Sequence, residues 1–277
     1  MFNVVNILHG DYMKRIEEIV HIIPLGHEID RAVKPFERFK TNKVHLLAVI
    51  ENRKYTREML DKQKYFLNIV RQKLKEKDIE IIVKNVDMFD VLDVMKNVSS
   101  AILEEKHNRN IVYVNISACG RLTSVGTALA AMAHDAKVYY VVADKYSKTP
   151  EEELTHGLSI CENLNIIFLE NFKFAMPDET GLKILTELCG KEKGMKTNEL
   201  LNFLRQSSVE GFEKDYQKLL GEQKRKTHIA YLIKLNKRIL DKLESDGYII
   251  REKVGKYNTI RITDSGKYLA HISGLLK

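Results

Sequence analysis

No stretch of this sequence reaches eighteen consecutive apolar residues, so nothing in it is suited to span a membrane as a helix. The N-terminus has no basic segment leading into an apolar run and a small-residue cleavage site. A secretory signal is therefore not expected, and a cytoplasmic location is. Cysteine is scarce: Cys119, Cys161 and Cys189 are widely spaced and odd in number. They make neither a disulfide framework nor a zinc spacing, which fits a reducing compartment. The nine histidines contain no HExxH or comparable cluster, so neither a bound metal nor metal catalysis is expected. GxGxxG and GxxxxGK(S/T) are both missing, which removes the two commonest nucleotide fingerprints, and no cofactor is expected.

What is present divides into two parts. The 277 residues suffice for one large core or two ordinary ones. The net charge of +7 is unevenly held. Residues 1–173 carry 25 Lys and Arg against 24 Asp and Glu, whereas residues 174–277 carry 20 against 14. A basic excess at one end points to a polyanion partner for that end, or to a merely solvated surface.

From about Ile19 the pattern alternates between β-branched runs and amphipathic stretches. Strands are predicted at 20–24, 44–50, 79–83, 111–114, 137–143 and 165–169, with helices at 30–39, 56–77 and 88–105. This rhythm predicts an α/β domain with a mostly parallel, doubly wound sheet over residues 1–173. Residues 1–12 fit poorly as a domain element and read as an extension, with Met13 as an alternative start.

The most informative stretch is NIVYVNISACGRLTSVGTALAAMA, residues 110–133. A buried strand breaks into small and polar residues, then resumes as an Ala- and Leu-rich helix. A strand feeding a helix in this way presents backbone N–H groups and hydroxyls at a helix N-terminus, which suits phosphate. In an open parallel sheet the ligand crevice lies at the C-terminal strand ends, where strand order switches. With an order beginning 3-2-1-4, the loops after the first and fourth strands become neighbours. The candidate ligand residues are thus Gly26, His27 and Glu28 on the first loop, and Asn115, Ser117, Ala118, Gly120, Arg121 and Thr123 on the second. Arg121 is the one cation between Ile111 and Ala136 and the natural phosphate partner, unless it serves an ordinary salt bridge.

Residues 174–277 read as two helices at 181–189 and 198–205, a basic helix at 227–245, two strands at 248–251 and 258–263, and a closing helix from Asp264. Ile229, Leu232, Leu235, Ile239 and Leu243 are expected as the inner stripe of the basic helix. Residues 206–226 are long for a turn, and 209–220 is expected to add a helix. The order is that of a winged helix-turn-helix, whose third helix enters the major groove while the wing meets the backbone. Tyr231, Lys234, Lys237 and Arg238 on the helix, with Lys253 and Lys256 on the wing, are the candidate contacts to double-stranded DNA. Winged helices also serve as protein-interaction modules.

The phrase LESDGYIIREKVGKYNTIRITDSGKYL resembles the end of a winged helix. Joined to a Rossmann-like domain carrying HIIPLGHEIDR at 21–31 and VNISACGR at 114–121, the chain resembles the CARF–winged-helix transcription regulators of archaeal CRISPR systems. It departs from them in having Arg121 where lysine is frequent, and in the extra segment before the basic helix. The resemblance implies a homodimer whose paired pockets bind a cyclic oligoadenylate, with cyclic tetraadenylate the favoured ring, and so alter operator affinity. It also admits a metal-independent ring nuclease in which Ser117 and Arg121 stabilise charge, and a nucleotide-sensing interaction scaffold.

Overall fold

Buried β-branched strands joined by amphipathic helices carry the first half of the chain. They run through β1 (Ile19–Pro24), α1 (Asp30–Val33), β2 (Lys43–Ala48), α2 (Arg57–Lys75), β3 (Glu80–Asn85) and α3 (Val91–His107). β4 (Ile111–Asn115), α4 (Arg121–Ala133) and β5 (Lys137–Val142) continue the alternation. A small hairpin follows, β6 (Lys145–Tyr146) and β7 (Ser159–Ile160) around α5 (Pro150–His156), and then β8 (Asn165–Leu169). The computed structural model describes residues 17–173, 175–254 and 257–276, so the expected extension 1–12, the alternative start Met13 and the wing residue Lys256 lie outside the described residues.

The six long strands form one sheet in the order β3-β2-β1-β4-β5-β8. All neighbours are parallel except β8, which closes the edge antiparallel to β5. The strand order reverses between β1 and β4, as the 3-2-1-4 reading required. Ile22, Leu47, Val112, Val114 and Val138 pack beneath α3 and α4 on one face, while Ile23, Val44 and Leu46 pack beneath α1 and α2 on the other. The expected helix 30–39 is shorter than its pattern. Four residues of α1 give way to a 3-10 turn at Lys34–Glu37, because Pro35 has no N–H to continue the α-helical ladder.

The second half contains α6 (Glu179–Cys189), β9 (Met195–Lys196), α7 (Thr197–Gln206) and α8 (Gly221–Lys234). A π-helical stretch, Leu235–Leu240, joins α8 to α9 (Asp241–Ser245) in one continuous rod. β10 (Ile249–Val254), β11 (Tyr257–Ile262) and α10 (Asp264–Ile272) complete it, with β10, β11 and β9 as a three-stranded sheet. This is the winged helix that the order of elements predicted.

Two expectations for this half are corrected. Residues 209–220 form no α-helix: left-handed backbone at Ser208 (φ 49) and Gly211 (φ 81) turns the chain, and Val209 and Phe212 plug the core instead. The inner stripe of the long helix holds at Leu235, Ile239 and Leu243, which are buried, and at half-buried Leu232, but fails at its N-terminal end: Ile229 is 44% exposed and Tyr231 is buried instead. A π turn holds more residues than an α turn, so every position N-terminal to it is rotated against a constant 3.6-residue repeat.

The halves touch along α10, which packs against α3. His134 Nε2, at the end of α4, donates to the Ile272 carbonyl at 2.6 Å. Gly274 sits close enough to Leu103 that an added Cβ would meet its Cδ1 at 2.3 Å. Among the described residues, no helix is long and apolar enough to cross a membrane.

Candidate functional site

The loops after β1 and β4 meet where the strand order reverses. Gly26 N donates to the Ala118 carbonyl at 2.7 Å, and Gln63 from α2 donates to Leu25 O at 2.9 Å. A methyl at Gly26 would find only ordinary contacts at 3.5 Å, so the approach of these two loops does not by itself demand glycine. Above them opens a cavity of about 220 Å³. Leu25, Val49, Leu60, Met88 and Leu158 give it apolar walls, and Tyr55 and Phe89 add aromatic rings. Its polar groups are few: His27, Gln63 and Thr123. Among the described residues that line it, none is a carboxylate.

At the mouth, α4 begins with Gly120 as a residue that offers no side-chain cap. The first-turn N–H groups of a helix have no intrahelical partner, so they remain available to an anion. Arg121 is exposed beside them and makes no ion pair among the described residues. Thr123 is turned inward, where its hydroxyl donates to the Met88 carbonyl at 2.5 Å and pins α4 to the start of α3. Gly26, His27, Gly120 and Thr123 therefore line the cavity, with Arg121 beside its rim.

Four sequence-selected residues do not line this cavity and belong instead to a buried frame. Asn115 is fully buried; its Nδ2 donates to Arg31 O at 2.8 Å, and its Oδ1 accepts from Ser117 N at 2.8 Å and Ser117 Oγ at 2.6 Å. Arg31 in turn donates to Ser117 O at 3.2 Å and to the Tyr140 hydroxyl at 3.0 Å, with its guanidinium 5.2 Å from the Tyr140 ring centre. Glu28 accepts from Ser159 N at 3.1 Å and Ser159 Oγ at 2.7 Å. Burial pushes its carboxyl above the usual range, against the opposing pull of Ser159 and Arg31. Ala118 is fully buried and contributes its carbonyl to Gly26.

The segment that sequence reasoning missed is the hairpin from β6 to β7. It is sewn to the first loop by Leu158 N to His27 O at 2.9 Å and Ile29 N to His156 O at 3.1 Å. Gly157 is required there. Its φ is +84°, and an added Cβ would meet Ile29 N at 2.5 Å and Glu28 Cα at 2.6 Å. A signal for this element was present: Thr149 and Glu152 form a reciprocal capping box, with Pro150 in the first turn. His27 stacks on Phe66 at 5.0 Å between centroids, and burial, reinforced by Lys62, holds its imidazole below the usual range against Glu153.

On the winged helix the candidate contacts separate. Lys237, Arg238 and Lys253 are exposed, with Lys237 held loosely by Asp241 at 3.7 Å. Tyr231 is turned into the core, where its hydroxyl accepts from Lys214 N at 3.0 Å. The Lys234 ammonium lies 4.8 Å from the Phe212 ring centre and donates to Glu210 O at 3.4 Å. The N-terminal half of α8, with Lys224 and Arg225, is exposed instead.

Comparison with known proteins divides the chain in the same order. Residues 19–146 match the family described as HFX_2341_N-like, N-terminal, and residues 180–274 match the DUF6293 C-terminal winged helix domain. The uncharacterized protein MJ1513 of Methanocaldococcus jannaschii is 26% identical over 153 residues, 51% of this chain and 44% of that protein. The chain therefore spans under half of that relative's length. Among solved structures, Can2 from Sulfobacillus thermosulfidooxidans in complex with cyclic tetra-adenylate superposes with a TM-score of 0.38 at 15% identity, covering 91% of this chain and 63% of Can2. Enterococcus italicus Csm6 bound to cyclic hexa-2'-fluoro-hexa-dAMP gives 0.39 at 11%, covering 83% and 58%.

Proposed function

We propose that this chain, which joins an HFX_2341-type N-terminal domain to a DUF6293 winged helix, is a cytoplasmic transcription regulator that senses a cyclic oligoadenylate. In this reading residues 1–173 are the sensor and residues 174–277 bind double-stranded DNA. One observation carries it: an apolar, aromatic cavity with no carboxylate among its described lining residues opens beside a helix N-terminus with no side-chain cap and beside Arg121, which makes no ion pair among the described residues. That juxtaposition suits both ends of a nucleotide. A flat base fits between Tyr55, Phe89 and the aliphatic walls, while its phosphate meets the first-turn N–H groups of α4 and the Arg121 guanidinium. The sequence resemblance to CARF regulators supplies the ring of adenylates, with cyclic tetraadenylate as the first ring to test.

Leu122 and Val125 stand 54% and 56% exposed on α4, the helix whose first turn carries Thr123 into the cavity wall. They support a homodimer in which two pockets face one symmetric ligand across a two-fold axis. Two winged helices then meet one duplex through Lys237, Arg238, Lys253, Lys256 and the uncovered half of α8. The ring-nuclease alternative loses support, because the Ser117 hydroxyl is enclosed and already donates to Asn115.

The deciding experiment is calorimetric titration of the full chain with cyclic tetraadenylate, alongside a mobility-shift assay on its own promoter. Saturable binding, ring recovered intact and a ligand-dependent shift are expected. Absence of binding by any cyclic oligoadenylate overturns the sensor assignment. Linear fragments in the recovered ligand convert it to an enzyme.

A further inference from the structure

The wall of the ligand cavity is also the wall of a second opening. Tyr55 and Phe89 line the cavity, and the same two rings line a groove of about 550 Å³ that runs between the two halves of the molecule. Across this groove stands Tyr268 of α10, 40% exposed, with Leu92 of α3 and Leu122 of α4 beside it. The two rings that separate cavity from groove are themselves in contact, with centroids 5.4 Å apart.

The supports of this partition are unequal. Tyr55 is anchored, because its hydroxyl donates to Asp87 in a short hydrogen bond and Asp87 also accepts from Asn52 at 3.1 Å and Phe89 N at 3.2 Å. Met88 is anchored through its carbonyl to Thr123. The Phe89 ring, between these fixed points, is 66% exposed and faces open space on the groove side. A base entering an apolar slot displaces the wall that has room to move, and here that is Phe89.

We propose that Phe89 is the coupling element of this protein: occupancy of the cavity turns its ring into the groove and against Tyr268, which shifts α10 and the winged helix with it. This rests on the sensor reading given above. Because α10 packs on α6 and sets Ala270 and Leu269 into the winged-helix core, movement at Tyr268 is delivered to the winged helix as a body, with the α3–α10 seam as the surface that slides.

The chain contains no tryptophan, so a single one introduced at the groove reports alone. In the full-length Tyr268→Trp variant, saturation with cyclic tetraadenylate is expected to shift the emission of Trp, following the same isotherm as calorimetry. A Phe172→Trp variant serves as the reference and is expected to stay constant. Adding Phe89→Leu to the Tyr268→Trp chain, at ligand concentrations that saturate that variant, should abolish the shift. Calorimetric binding with unchanged emission, or a shift that survives Phe89→Leu, overturns the coupling while leaving the sensor reading intact. Failure of the parent chain to bind in the calorimeter overturns both.

Discussion

Asn115 on β4 holds the main-chain carbonyl of Arg31 at 2.8 Å, and so ties the last residue of one central strand to the first helix after the other. Its amide is satisfied on both sides, because Ser117 N and Oγ both bond to its Oδ1. Replacing Asn115 with alanine leaves a buried carbonyl, a buried backbone N–H and a buried hydroxyl without this partner. Each orphaned group costs about 1–3 kcal/mol, so Asn115→Ala should lower the midpoint of thermal unfolding markedly. A melt within a degree of the parent would show that this buried frame contributes nothing.

Arg121 should behave in the opposite manner. Its guanidinium is exposed and unpaired among the described residues, so Arg121→Ala should leave the melt nearly unchanged, within about 0.5 kcal/mol. Loss of a charge-assisted hydrogen bond to phosphate should weaken cyclic tetraadenylate binding by about ten- to a hundredfold. Calorimetric titration and a melt on the same sample measure the two effects separately.

Acid stability should depend on His21. Burial without a compensating charge pushes its imidazole down to about 3, and its ring stacks on Tyr113 while Nδ1 meets the Tyr139 hydroxyl at 3.0 Å. The folded pKa lies below the unfolded one, so the unfolded chain binds more protons between them. Stability is therefore fully present above the ordinary histidine value of 6.5 and erodes as pH falls towards about 3. The slope approaches about 1.4 kcal/mol per pH unit, one proton's worth. His21→Phe retains an aromatic ring and should flatten denaturant-derived stability across that window by one proton.

Salt dependence of DNA binding should sort the lysines of the long helix. Each lost phosphate contact reduces the log–log slope by about 0.9. Lys237→Ala and Arg238→Ala should each flatten the slope by roughly that amount. Lys234→Ala should leave the slope alone and lower the melting midpoint, because its ammonium serves Phe212 and Glu210. A flattened slope for Lys234→Ala would return that residue to the interface.

The sheet, its 3-2-1-4 switch and the winged helix were legible because each rests on a strong local pattern: buried runs for the strands, and helices, basic helix and hairpin in fixed order. The meeting of the two loops at Gly26 and Ala118 followed from that topology. Side-chain direction was less legible. Asn115, Ser117 and Glu28 are polar residues at a strand end or on the loops that follow the strands, which suits a ligand equally well. Only closure of the chain around Arg31 and Ser159 turns them inward. A constant helical repeat turns Tyr231 and Lys234 outward, and the π turn at Leu235–Leu240 breaks that repeat without any distinctive residue to announce it. The strap at Gly157 was readable in principle from its capping box, yet its short strands carry too few residues to show alternation.

The seam between α3 and α10 bears on how far the two halves can be treated as interchangeable modules. An N-terminal half cut away before α10 would uncover Leu103 further and leave the His134 ring nitrogen without the Ile272 carbonyl. A winged helix grafted from elsewhere would have to bring a closing helix shaped to the same groove. The last helix of the winged-helix half therefore belongs, by its packing, to the core of the N-terminal half as well.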